Sequence, residues 1–248
     1  MIGARQVKSI VLSCGADLCG IAPVERFKDA PEGFRPRDIF PGCKSVIVFV
    51  RRLPTSTLDA KSCVPYTYVN DLVAEEVSDI TLKACRALEA RGMAAVPVPT
   101  NEPYEFWDAP KTRGMGILSM RHAAHLAGLG AMGKNTLLVT REFGNMVQIG
   151  AILVDADLKG DEVIAKPFCA PGCRLCIDSC PQKALNGITV DQKLCRPISN
   201  FRSAKGYTLK KCNVCRRVCP DRFGVGMSNT SRAGAPVSCA KDRLRRRR

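Results

Sequence analysis

The chain has 248 residues, 46% of them hydrophobic, enough for one large domain with its own core and a small one beside it. No run of 18 apolar residues occurs, which excludes a membrane-spanning helix, and the amphipathic N-terminal MIGARQVKSIVLSCGADL is unlike a signal sequence, so a cytoplasmic location is expected. The net charge of +15 is uneven: from Arg202 onward, 14 Lys/Arg face only Asp221 and Asp242, a net of +12 that leaves +3 for residues 1–201.

In chain order, residues 2–15 place Val7, Ile10, Val11 and Cys14 at helical spacing. LCGIAP (18–23) reads as a short buried strand. After a Pro/Gly-rich connector, KSVIVFV (44–50) is apolar almost throughout and fits a central strand. A long helix is predicted over 66–91, with Gly92 as its C′ residue. AAVPVP (94–99) is a strand whose Pro97 puts it at an edge or a strand end. TNEPYEFWDAPKTRGMG (100–116) is polar, aromatic and turn-rich, a loop long enough to be functional. ILSMRHAAHLAGLG (117–130) is a helix that breaks at its glycines, and NTLLVT (135–140) and MVQIGAILVDADL (146–158) read as strands. There is no Rossmann order and no phosphate loop followed by Lys-Ser/Thr. The only histidines, His122 and His125, share a helix face. With no carboxylate or Cys beside them, they read as packing or a polar cleft wall rather than a metal pair.

Eight of the 14 cysteines fall between Cys169 and Cys219. They read Cys169-x3-Cys173-x2-Cys176-x3-Cys180-Pro181, a solitary Cys195, then Cys212-x2-Cys215-x3-Cys219-Pro220. Bacterial ferredoxins use C-x2-C-x2-C-x3-C-P, in which the Cys before Pro serves the other cluster. Three thiolates of one tight loop reach one cube, while the fourth lies a turn further on and faces away. On that logic Cys169, Cys173, Cys176 and Cys219 hold one 4Fe–4S cluster, and Cys180, Cys195, Cys212 and Cys215 hold the second. Two zinc sites would also use C-x2-C pairs but do not call for the C-x3-C-P step. Disulfides are disfavoured for an intracellular thiol cluster. The extra residue between Cys169 and Cys173 falls in the turn-prone Ala170-Pro171-Gly172. If that turn cannot absorb it, Cys239 or another distant Cys has to substitute.

The other cysteines, Cys14, Cys19, Cys43, Cys63, Cys85 and Cys239, are expected to be reduced thiols, small apolar residues where buried. Cations near the clusters would partly balance their thiolates. The terminal KDRLRRRR reads as a solvated tail, or as a landing site for an acidic electron donor such as a ferredoxin or flavodoxin, or for RNA. No aromatics are interleaved with it, which weakens base stacking.

GLGAMGKNTLLVT (128–140), followed by FGNMVQIGAILVDADL and the two cysteine groups, resembles the epoxyqueuosine reductase family, which is related to reductive dehalogenases. GIAP near the start, KSVIVF and the order of all eight cysteines, the solitary Cys195 included, extend the resemblance from about Gly15 to Pro220. It implies an α+β architecture: a mixed-sheet α/β domain over 1–160, a ferredoxin-like two-cluster module over 161–226 and a basic tail over 227–248. It also implies a cobalamin between the two domains, lined by Gly128, Gly130, Gly133, Lys134 and Asn135. The clusters feed electrons to its cobalt.

The family carries Asp-x-x-Pro-x-x-Glu-Arg just before these glycines, its Asp resembling a proton donor. Aligned on Arg121, this chain has Gly114 at the Asp and Met120 at the Glu, and neither can give a proton. The helical-repeat domain that helps hold tRNA in longer members is not expected after Pro220. Tyr66, Tyr68, His122 and Glu105 are alternative donors by residue chemistry. The resulting expectation is an iron–sulfur oxidoreductase, not a true epoxyqueuosine reductase, that passes electrons to a cobalamin or a small-molecule substrate. The alternatives are a non-catalytic electron-transfer protein and a corrinoid-reducing partner.

Overall fold

The computed structural model describes residues 2–226; the basic segment 227–248, with Cys239, lies outside the described residues. Its centre is a four-stranded sheet in the spatial order β1 (Leu18–Pro23), β2 (Ser45–Arg52), β4 (Val147–Val154) and β3 (Ala95–Val98). Every ladder of this sheet runs antiparallel, which corrects the mixed sheet expected. An unbroken apolar run marks a strand covered on both faces and says nothing of its neighbours' direction.

The two faces explain the run. Side chains alternate along a strand. Val46, Val48 and Val50 of β2 and Ala151 and Leu153 of β4 enter one core with Phe27 and the alanines Ala123, Ala124 and Ala127. Helix α3 (Met120–Leu126) covers this face. Ile47, Phe49, Ile152 and Val154 enter the other core, under α1 (Ala4–Ser13) and α2 (Cys63–Glu89). Val7 and Val11 of α1, and Val77, Ile80, Ala84 and Leu88 of α2, supply the helical side. Across β2 and β4, fully buried Phe49 stands opposite Gly150, and its ring lies where a side chain would stand.

Helix α2 starts three residues earlier than expected, because the Ser62 hydroxyl accepts from the Val64 N–H and caps it. It ends before Gly92, whose φ of +76° turns the chain. Strand β3 lies at the sheet edge, where Pro97 lacks a donor to waste. The predicted loop 100–116 contains a hairpin, Phe106–Asp108 with Arg113–Met115. NTLLVT contributes only Leu138–Val139, paired with Ala131–Met132. Beyond residue 160 the described chain is mostly irregular, with helices at Leu175–Asp178, Gln192–Ser199 and Val214–Arg217. The first and last of these pack on each other.

Two outcomes follow for stability. Gly150→Ala forces a methyl into the Phe49 ring and should cost about 1–3 kcal/mol, read as a lower denaturant midpoint, with Phe49→Leu recovering part of it. Burial pushes the Cys19 thiol up to about 12, and Cys43 and Cys85 to about 11. The folded chain thus keeps protons that the unfolded chain releases near 9.0. Their stabilising contribution is complete below that pH and fades as pH climbs through 11 and 12. Midpoints measured across this range should fall, and fall less in Cys19→Ala.

Candidate metal centre and adjoining cavity

Local sequence places the thiols in two similar units. Cys176 lies in the helix Leu175–Asp178, and Cys180 follows it before Pro181; Cys215 lies in Val214–Arg217, and Cys219 follows before Pro220. Cys195 is carried by Gln192–Ser199, whose N-cap Asp191 accepts from the Leu194 N–H. The residue inserted after Cys169 is absorbed in a turn closed by the Cys173 N–H on the Ala170 carbonyl, at 3.0 Å.

The thiols bear on one another in sets. Burial raises Cys176, and the charges of Cys169 and Cys173 add to it. Burial pushes Cys219 up to about 11, with Asp221, Cys169 and Cys176 adding to the rise and the Asp221 N–H opposing it. Burial likewise pushes Cys215 up to about 11; Cys212, Cys195 and Cys180 add, and the Arg216 guanidinium opposes. Cys219 therefore stands with the distant first group, and Cys180 with the second. Among the described residues, no disulfide joins the cysteines. Among the described residues, no three or more His, Cys, Asp or Glu close on a point as one metal ion needs.

The glycine-rich segment meets these loops. The Lys134 ammonium donates to the carbonyls of Ala170, Pro171 and Cys173 at 3.3, 2.7 and 2.9 Å. Asn135 Nδ2 donates to the Cys215 carbonyl at 3.1 Å, while its Oδ1 accepts from Leu137. Gly130 lies against the Val139 carbonyl, Gly133 against the Asn135 side chain, and Gly128, at φ +75°, against the Glu162 carbonyl. Lys134 and Asn135 thus dock the cysteine loops, a role that their position in a glycine motif did not reveal.

A second attachment surrounds Asn145. Its Nδ2 donates to the Arg216 carbonyl at 3.3 Å, and Arg216 Nη1 donates back to the Asn145 carbonyl. Beside them, Gly144 at φ +56° lies against the backbone of Asp221 and Arg222. A cavity of about 130 Å³ opens here between the sheet and the cysteine loops, lined by Thr100, Arg121, Asn145, Gln148 and Arg216 among others. Asn145 Oδ1 and Thr100 Oγ1 are buried in the protein without a partner. Arg121 Nη1 donates to the Thr136 carbonyl at 2.7 Å. Its guanidinium is held below its ordinary value, first by the protein around it and then by Arg216, while Cys215, Cys195 and Tyr104 pull the other way.

The candidate donors do not line this cavity. Tyr66 is buried in a core with Leu53, Leu58 and Met146, and Tyr68 is exposed. Glu105 is exposed, as is His122, whose Nδ1 pairs with the Ser119 hydroxyl at 2.7 Å; His125 Nδ1 pairs with the Gly130 carbonyl at 2.9 Å. The tyrosine beside the site is Tyr104, which the sequence did not single out. A Cβ on Gly114 would lie 3.1 Å from both the Tyr104 ring and Arg196 Nη2. Gln192 bonds both the N–H and the carbonyl of Gly114, and Arg196 lies over the Tyr104 and Trp107 rings. The hairpin is therefore clamped onto the helix that carries Cys195.

The thiol charges bear on one another within two sets, Cys169, Cys173, Cys176 and Cys219 in one and Cys180, Cys195, Cys212 and Cys215 in the other. The cavity is small. Pockets for drug-sized ligands run to roughly 300–1,000 Å³, against about 130 Å³ here.

No protein-family model matches the chain. Curated relatives are epoxyqueuosine reductases: that of Bacillus cereus is 33% identical over 124 residues, 46% of this chain and 32% of the relative. That of Staphylococcus aureus is 32% identical over 123 residues, 44% of this chain and 31% of the relative. The chain thus spans about a third of the length of the curated relatives it matches. Its fold is that of solved epoxyqueuosine reductases and reductive dehalogenases. The Streptococcus thermophilus epoxyqueuosine reductase superposes with a TM-score of 0.63 at 17% identity, covering 88% of this chain and 65% of that one. A reductive dehalogenase described as suggesting a mechanism for B12-dependent dehalogenation gives 0.60 at 19% identity, covering 88% and 31%.

Removing the Lys134 ammonium while keeping its apolar stem separates docking from packing. Lys134→Met should cost about 1–3 kcal/mol and speed proteolysis within residues 166–173, with Lys134→Arg restoring part of both.

Proposed function

We propose that this relative of the epoxyqueuosine reductases is an iron–sulfur oxidoreductase that delivers electrons to a small molecule held in the cavity beside Arg121 and Arg216. What supports it is the grouping of the thiols: the charges of Cys169 and Cys176 bear on Cys219, and those of Cys212, Cys195 and Cys180 bear on Cys215. Cys169, Cys173, Cys176 and Cys219 would hold one 4Fe–4S cluster, and Cys180, Cys195, Cys212 and Cys215 the other. Bound clusters supply one-electron transfer at low potential.

The chain's own residues set the direction. Arg121 feels Cys195 and Cys215 and lines the cavity, so the second thiol set is the one beside it. The first set lies under Lys134, at a surface depression lined by Lys134, Arg174 and Ile188. Electrons would enter there, from an acidic redox protein, and leave at the cavity. Reduction of epoxyqueuosine is not proposed for this chain. Gly114 stands where the family has its acid, and Tyr104 and Arg196 crowd that position. Among the described residues, no helix is long and apolar enough to cross a membrane.

A second reading, a corrinoid at the cavity mouth, is favoured by the B12-dependent fold neighbour. It requires the segment 100–115 to leave the grip of Gln192 and Arg196.

Anaerobic purification should yield a brown protein with about eight irons and eight sulfides. Cys195→Ala should lose one cluster and keep the other, counted by iron analysis and by electron paramagnetic resonance of the reduced protein. A colourless zinc protein, or a variant that keeps both clusters, would overturn the assignment.

A further inference from the structure

We propose that the buried guanidinium of Arg216 raises the reduction potential of the second cluster, the one assigned to Cys180, Cys195, Cys212 and Cys215, above that of the first. An electron that reaches the first cluster then passes to the second. The inference rests on the two-cluster reading above and names the residue that gives it a direction.

Arg216 is 9% exposed and follows Cys215 in the chain. Its hydrogen-bond partners are neutral: Nη1 donates to the Asn145 carbonyl and lies 3.9 Å from the Met146 sulfur. Among the described residues, no Asp or Glu forms an ion pair with it. A buried cation without an anion is costly. The negative charge that bears on it is that of the thiols. Burial raises Cys215, Cys212, Cys195 and Cys180 add to the rise, and Arg216 opposes it. The guanidinium is thus the counter-charge of the second set. Arg121, more open to solvent, adds a smaller share, since the charges of Cys215 and Cys195 act on it as well.

The first set is served differently. Asp221 lies two residues after Cys219, and its carboxylate adds to the rise that burial causes in that thiol. Arg222 Nη1 donates to the Cys219 carbonyl at 3.3 Å, so the two charges flanking Cys219 offset each other. What remains is Lys134, on the Cys173 carbonyl at 2.9 Å, and it is only half-buried, where solvent screens it. Backbone N–H groups do not separate the sets, because Cys180 accepts from Ala184 at 3.4 Å and Cys219 accepts from Asp221.

Reduction adds one negative charge to a cluster. A nearby cation stabilises the reduced form and raises the potential, and a carboxylate lowers it. Either acts more strongly where water is excluded. The transfer balances within the chain. The first cluster, reduced by the acidic redox protein proposed above, gives up one electron and is reoxidised; the second takes that electron up.

The test is a dithionite titration of the anaerobically purified full chain with redox mediators, followed by electron paramagnetic resonance, with iron and sulfide measured on the same sample. Two midpoints are expected. Cys195→Ala, which keeps the first cluster alone, should retain the lower one. Arg216→Met removes the charge and keeps an apolar stem. The upper midpoint should then fall by about 59 mV or more, a tenfold change in a one-electron equilibrium, while the lower stays. Arg216→Lys should restore most of the gap. Because Arg216 also holds Asn145, two further variants separate charge from structure. Asn145→Leu breaks that contact and leaves the guanidinium, so the gap should persist. Asp221→Asn leaves the contact alone and should raise the lower midpoint, narrowing the gap. Equal midpoints, or the higher midpoint surviving in Cys195→Ala, overturn the proposal. So does a gap unmoved by Arg216→Met, or by Asp221→Asn where the former does not fold. Those results at full iron content sink this inference alone, whereas a protein without iron sinks the two-cluster reading with it.

Discussion

Asn145 and Arg216 hold each other by two hydrogen bonds that run in opposite directions, side-chain amide to carbonyl and guanidinium to carbonyl. Both residues are buried, and each uses its main chain as the acceptor. One end of the contact leads into β4, the interior strand shared by both cores. The other lies in the helix that bears Cys215. The thiol loops are thereby referenced to the rigid part of the molecule, not left to find their own position. An orphaned buried partner costs about 1–3 kcal/mol, so the contact is difficult to break halfway. The close approach at Gly144 and the bond from the Val225 N–H to the Arg141 carbonyl extend the same seam.

The glycine-rich segment makes a complementary attachment from the other side. Lys134 gathers three carbonyls of the loop that accommodates the extra residue before Cys173, and Asn135 takes the carbonyl of Cys215. Each of the two thiol sets thus receives a backbone anchor from one dipeptide. Charge-assisted donors on carbonyl groups leave the thiols themselves unconstrained by the anchor. That arrangement suits loops whose sulfurs have other work.

The hairpin at 106–115 shows how a position associated with chemistry can take on a mechanical role. With no side chain, Gly114 lets Gln192 bond its backbone from both sides while Arg196 stacks on Tyr104 and Trp107. The Cys195 helix and the cavity's rim are fixed to each other as a result. A side chain at this position would press against Tyr104 and Arg196.

Much of this was legible in the chain itself. The four sheet strands and the long helix show in local periodicity, and the edge position of β3 shows in Pro97. The expectation of crossed thiol sets came from spacing alone, because clustered ligands and a Cys-Pro step impose short, fixed separations. What residue order could not supply was who meets whom across the fold. Strand direction escaped because alternation into two cores reads alike in parallel and antiparallel sheets. Lys134 and Asn135 looked like parts of a ligand motif until their partners, some 40 and 80 residues away, were in place. The cavity had no linear signature at all. Thr100, Arg121, Asn145 and Arg216 are ordinary residues in sequence, and only tertiary packing brings them around one space.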